Sequence, residues 1–324
     1  MSALEQVLKL RPSSIAARLA GTKVCLLNPR DVHHSLPQRP VVVCECPAAP
    51  IAAGVFRAAR QAASVVGLTF PSLPRAEPPR PAAVVQAILK AAVEAGYEHP
   101  WFLRAGPVAI HEATQEAVAE AREAVYRLVD AGFTEVCLDV TGLDPAEAAA
   151  AVAEAAMALR ERELSIDVTT RDAQPDQLLE LVASLGAQGV RVDVLSLPAS
   201  ALAGATDLSA HLAALRPAGL ALVDAGDKFP ATGVRRLVVS SRLTRIAMNA
   251  LPPEAQKTIR SRAVEGWSVP GAIAAAVKAT PPSFEVQLKM EALAYHEVLD
   301  LLERAGGEAS GLASVASLAE HSGY

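Results

Sequence analysis

Cysteine is scarce in this chain, and its placement excludes two classes of protein. The four cysteines among 324 residues are Cys25, Cys44, Cys46 and Cys137. They sit mostly inside apolar runs, and none has the paired spacing of a zinc knuckle or a disulfide framework. A reducing, cytoplasmic setting is expected. No stretch approaches the roughly 18 to 20 consecutive apolar residues of a membrane helix, although 51% of the residues are hydrophobic. The first thirty residues carry Glu5, Lys9, Arg11, Arg18 and Lys23 with no uninterrupted apolar run, so they do not read as a secretory signal. A basic stripe is also missing, because 30 lysines and arginines are dispersed among 35 acidic residues for a net charge of -5. Neither a membrane nor a nucleic acid is expected as a partner, whereas a small anionic ligand is compatible with the local charge.

What the chain does have is alternation. Apolar runs at 41–46, 65–70, 100–103, 134–140, 164–169, 190–195, 220–223 and 243–248 read as eight strands. Continuous β-branched runs such as Val41 to Cys46 suit strands covered on both faces. Helical patterns fall between them at about 51–63, 82–95, 112–131, 145–162, 175–185, 208–215 and 231–240. Pro81 and Pro145 are placed to open helices, Asp144 to cap one, and Gly132 to end one. Strands alternating with helices make a parallel sheet, and eight units most simply close into a (β/α)8 TIM barrel, with a doubly wound open sheet as the alternative. The expected organisation is an N-terminal extension over 1–40, a barrel with terminal helices over 41–305, and a frayed tail over 306–324.

The stretch Gly219 to Asn249 reads as strand, loop, helix and strand. Its polar cluster Asp224-Ala225-Gly226-Asp227-Lys228 follows the first strand. In a barrel that end of the strands carries the chemistry. Glu45, Asp139, Asp167, Asp193, Asp224 and Asp227 all lie near expected strand ends, with Arg104, Lys228 and Arg171 beside them. If they converge they would suit an oxygen-ligated divalent cation such as Mg²⁺. The plainer account is that such aspartates cap the next helix and pair with arginines. His33 and His34 fall in a polar segment that reads as a solvated loop. His111 follows the third strand without a visible partner, and His296 reads as a packing residue of the last long helix. Cys44 and Cys46 face one side of the first strand and read as buried structural thiols.

Several segments carry a resemblance. Ala131 to Asp139 followed by Gly142 to Glu147, then Val192-Asp193, Leu222 to Pro230, and Leu243 to Asn249 are similar, in order and spacing, to motifs of the class II, zinc-dependent ketose-bisphosphate aldolases. That family includes the fructose- and tagatose-bisphosphate aldolases, and the likeness spans roughly 40–311. It implies a barrel, a homodimer, and a zinc held by three imidazoles that polarises the ketose carbonyl.

On this alignment the imidazole positions are occupied by Pro107, Ala203 and Asp224, and the proton-shuttling aspartate falls on Gly106. The resemblance therefore implies a member whose zinc site is lost, with no cofactor expected. Such a protein would serve as a non-catalytic partner of another protein, a regulator or a scaffold. Two alternatives stand beside it. One is a lyase of altered chemistry on a small phosphorylated or carboxylated substrate, with Asp139, Asp224 and Lys228 as catalytic candidates. The other is a sugar-phosphate-binding barrel without turnover. Arg104, Gly226, Lys228 and Asn249 are the candidates for an anionic substrate or ligand.

Overall fold

The structure is a computed structural model and describes residues 2–37, 39–72, 80–171, 174–202, 219–225 and 234–321. The chain begins with short helices α1 (Ala3–Val7), α2 (Ser13–Ala16) and α3 (Pro29–Ser35). It then alternates through β1 (Val41–Glu45), α4 (Ala49–Gln61), β2 (Val66–Phe70), α5 (Pro81–Glu94), β3 (Trp101–Ala109), α6 (Gln115–Ala131) and β4 (Glu135–Asp139). After β4 come α7 (Pro145–Ala155), α8 (Met157–Glu161), β5 (Ser165–Thr169), α9 (Pro175–Ala187), β6 (Val194–Pro198), β7 (Leu220–Val223) and β8 (Val234–Val239). The chain ends in α10 (Ser241–Ala250), α11 (Pro253–Val264), α12 (Val269–Ala279), α13 (Phe284–Arg304) and α14 (Ser310–His321). The eight strands pair in sequence order, and β8 pairs with β1 in parallel, so the sheet is a closed ring. This is a TIM barrel with helical additions. Among the described residues, no helix is long and apolar enough to cross a membrane.

Two apolar cores follow from this closure. The larger lies between the ring and its helices. The smaller fills the barrel's lower half with Val41, Val43, Phe102, Val194, Ala221 and Val238, joined by Val7, Leu27 and Val32 from the N-terminal segment. Backbone bonds from Leu27 N to Trp101 O and from Trp101 N to Cys25 O stitch that segment to β3. It closes the floor of the barrel.

Several expectations are corrected. The stretch 231–240 is not a helix: Val234–Val239 is β8 itself, and Leu243 to Met248, read as a strand, lies within helix α10. In α10 the buried residues are Leu243, Thr244, Ala247 and Ala250, a spacing that follows a helical turn. Arg235 and Arg236 had disguised the strand. The sixth strand begins at Val194, four residues later than read, and β3 runs on to Ala109 through an irregularity between Ala105 and Val108. The helix read over 145–162 divides at Ala156, and among the terminal helices α11 and α12 are separated at Gly266, which has φ +92. The helix read at 208–215 lies outside the described residues. Within the tail segment, Ser310–His321 forms helix α14, which packs near α1 and α3, where Ser314 Oγ lies 2.5 Å from Ser35 Oγ.

His33 is also corrected, because it is not in a solvated loop. Asn28 accepts a hydrogen bond from Arg30 N and starts α3, which buries His33 under the barrel floor. There His33 Nε2 accepts from Arg236 Nε at 2.7 Å, a role open only to neutral imidazole. Burial, and then the positive charges of Arg236, Arg235 and His34, hold its pKa well below the ordinary value. In the unfolded chain this imidazole takes up a proton near pH 6.5 while the folded one does not. The unfolded state therefore gains stability as pH falls below that value. Between about pH 6.5 and 5, unfolding free energy is expected to drop by up to about 1.4 kcal/mol per pH unit. His33→Gln, which keeps an acceptor, should flatten that slope in urea titrations. An unchanged slope would remove His33 from the account.

Candidate functional site

The strands' carboxyl ends form the mouth of the barrel, and the inward-facing polar residues beneath it form two layers. The lower layer is a buried fork. Arg236 of β8 donates from Nη1 and Nη2 to the two carboxylate oxygens of Glu135 on β4, at 2.6 and 2.8 Å, and lies 4.7 Å over the ring of Phe102. Both side chains are 0% exposed. Burial raises the Glu135 pKa, and the adjacent guanidinium opposes that rise. Neither residue was singled out from the sequence. The available signal was a charge placed inside an apolar strand run, which requires a buried partner.

The upper layer lies just below the mouth. Arg104 of β3 donates from Nε to Asp167 Oδ2 of β5 at 2.6 Å, and from Nη1 to Thr69 Oγ1 of β2 at 3.1 Å. Ser196 of β6 donates its hydroxyl to the same carboxylate, 2.9 Å from each oxygen. A Cβ on Gly106 would fall 2.7 Å from Arg104 Nη1 and 3.4 Å from Thr69 Oγ1. The glycine at this position is thus what leaves room for the guanidinium. Arg104, named from the sequence as an anion-binding candidate, is 6% exposed and committed to this network.

The remaining candidates are placed as follows. Asp139 ends β4 and accepts from Thr141 N at 3.0 Å and from the Thr141 hydroxyl at 2.6 Å, which is a local turn. Asp224 follows β7 with φ +53; its Oδ1 accepts from Ser240 N at 2.9 Å and Ser241 N at 3.0 Å, so it caps the start of α10. Glu45 ends β1 and accepts from the Ser240 hydroxyl. Burial raises the Glu45 pKa, while Ser240 and Arg104 pull it back and Asp224 pushes it up.

Asn249 is not at a strand end; it lies exposed on the last turn of α10, the end of that helix remote from its cap. Asp193 is not at the mouth either, since it precedes β6 and pairs with Arg30 at 2.8 Å on the opposite end of the barrel. His111 is exposed, with Nδ1 3.4 Å from Thr141 O, and His296 is exposed on α13. All four cysteines are buried, and burial pushes the Cys44 thiol up to about 12. Ala203, Gly226, Asp227 and Lys228 lie outside the described residues.

The donor set can be tested against zinc. Pro107 is exposed in the β3 irregularity and has no side-chain atom that can ligate a metal. Asp224, the single ligating side chain described among the three positions, is engaged by two backbone N–H groups. Among the described residues, no three His, Cys, Asp or Glu side chains come together in a way that could hold a metal ion. These residues do not fit a three-ligand catalytic zinc.

The fold itself has solved counterparts. It is the fold of known aldolases. The YdjI aldolase from Escherichia coli K12 matches with a TM-score of 0.58 at 14% identity, covering 87% of this chain and 96% of that one. A putative fructose-1,6-biphosphate aldolase from Coccidioides immitis matches with a TM-score of 0.56 at 13% identity, covering 91% and 98%. The fructose-bisphosphate aldolase of Campylobacter jejuni matches with a TM-score of 0.55 at 11% identity, covering 87% and 93%. At such identities the likeness is one of fold. No family model matches the chain, and no curated protein does.

Proposed function

We propose that this chain is an aldolase-fold barrel without zinc-dependent aldol chemistry, acting in the cytoplasm as a non-catalytic partner, regulator or scaffold. The observation that carries the reading is the Arg104–Asp167 pair. A zinc-dependent aldolase mouth needs converging neutral or anionic donors and an open coordination position. Here a permanent cation is fixed under the mouth, and the carboxylate beside it is already bound by a guanidinium and a hydroxyl. A second cation brought to this layer would meet Arg104 in a medium of low dielectric, where like charges repel strongly.

A lyase of altered chemistry is the second reading, and one observation favours it. Glu45 is an acid at the mouth whose pKa is raised by burial, the direction that favours a carboxyl holding a proton it can donate. One experiment addresses both. Purified protein is equilibrated with zinc, desalted, analysed for metal, and assayed for cleavage of fructose and tagatose 1,6-bisphosphates with and without chelator. The expected result is substoichiometric zinc and no cleavage above the buffer rate. One zinc per chain with chelator-sensitive cleavage would overturn the proposal, and cleavage indifferent to chelator would favour the second reading.

A further inference from the structure

A cavity of about 630 Å³ lies outside the ring of strands, bordered by the start of α5 and one side of α6. Phe70 of β2 and Ala105 of β3 are buried in its floor. Their neighbours Thr69 and Arg104 face the other way, into the barrel, as alternation along a strand requires. The cavity is therefore separate from the mouth, whatever the mouth does. Two local features open it. The irregularity of β3 between Ala105 and Val108 takes the end of that strand off its regular path. On α6, Ala117, Ala121 and Ala124 line the cavity in one helical row, and that row carries no long side chain until Leu128. Ala117 and Leu128 are eleven residues apart, about 16 Å along the helix axis, so the space is long and not round.

Its chemistry changes along that length. Arg80, which precedes α5, stands at the end nearer the mouth, and Phe133, which follows α6, stands at the remote end. Three charged residues border the cavity, and two of them are engaged within the chain: Arg127 donates to Glu123 at 2.6 Å, and Glu120 also has a partner. Among the described residues, the guanidinium of Arg80 has none. Between the ends, the side chains of Phe70, Ala105, Val108, Ala121 and Ala124 offer only C–H groups. A sugar or a peptide lying there would leave its hydroxyls or amides without partners, at a cost that a hydrocarbon chain does not incur. We propose that this cavity binds a single-chain amphiphile with an anionic head, a carboxylate of medium chain length, its head at Arg80 and its tail along α6 toward Phe133. At about 30 Å³ per water the space holds roughly twenty waters, and a tail that displaces them from apolar walls supplies the driving force. The volume is within the range of sites that enclose small molecules.

The test is isothermal titration calorimetry of the full chain with octanoate, decanoate, decanol and acetate, each below its micelle-forming concentration. Decanoate is expected to bind one per chain with a micromolar Kd, and affinity should rise about fourfold for each methylene added from octanoate to decanoate. Acetate should not bind, and decanol should bind about tenfold more weakly than decanoate. Arg80→Gln should weaken decanoate about tenfold and leave decanol unchanged, because it removes the charge-assisted contact alone. Ala117→Phe and Ala124→Phe should each weaken both ligands by about 100-fold, with unliganded melting temperatures no lower than that of the wild type, since the ring fills existing space. Absence of saturable decanoate binding, decanol as tight as decanoate, Arg80→Gln as tight as the wild type, or full binding in both phenylalanine variants would each overturn the proposal.

Discussion

Arg236→Met is expected to destabilise the barrel by about 3–5 kcal/mol, roughly a fifth or more of the stability of a typical domain. The arginine is fully buried and holds three partners at once: both oxygens of Glu135, Nε2 of His33 and the face of Phe102. Removing it leaves a carboxylate in the barrel floor with no cation and an imidazole nitrogen with no donor. Arg236→Lys should recover only part of the loss, because an ammonium cannot supply the planar fork that meets both carboxylate oxygens. The double variant Glu135→Leu with Arg236→Met should recover most of it, since replacing both members of a buried pair with apolar groups removes the desolvation cost along with the attraction. Urea denaturation of the four proteins gives the result directly. If the single methionine variant proved as stable as the double, the pair would not be carrying the floor.

A substitution that helix propensity alone would recommend is expected to do harm at Gly54. Within a helix, alanine in place of glycine ordinarily gains roughly 0.5–1 kcal/mol. In α4, however, a Cβ at position 54 would press on the Glu291 carbonyl oxygen and lie 2.8 Å from Ala294 Cβ and 2.9 Å from Tyr295 N. The two helices touch backbone to backbone there, and α13 must move outward to admit any side chain. Gly54→Ala is expected to cost about 1–3 kcal/mol, and Gly54→Val about 3 kcal/mol or more. Calorimetric melting temperatures would show the sign, and a stabilised alanine variant would contradict the close approach.

The sequence was most legible where a local rule and the global fold agree. Asp144 accepts from Ala146 N and Glu147 N ahead of Pro145, and Gly132 ends α6 at φ +108, both at the positions their residue types required. Strands β1, β2, β4, β5 and β7 each fall within about a residue of their expected place.

The costliest misreading came where two adjacent arginines, Arg235 and Arg236, stand inside an apolar strand. Arg236 made β8 look polar, and once that strand was lost, the amphipathic helix behind it supplied the missing eighth apolar run. The error carried into the site. Asn249 follows a run read as a strand that is in fact a helix, and Asp193 was placed near the end of a β6 that in fact starts after it. Arg104 was found because it does stand near the mouth. What the sequence does not display is that its guanidinium faces inward to Asp167, because partners 63 residues apart are set by the strand register and not by any motif.

Helices α1 and α14, from opposite ends of the chain, meet under the barrel floor, with α3 between them and the strands. Either end can therefore be used as a handle. A copy tethered to a sensor by its first or last helix would stand with its floor toward the support and its mouth toward the solution. Sugar phosphates and candidate protein partners could then be passed over the same orientation in turn.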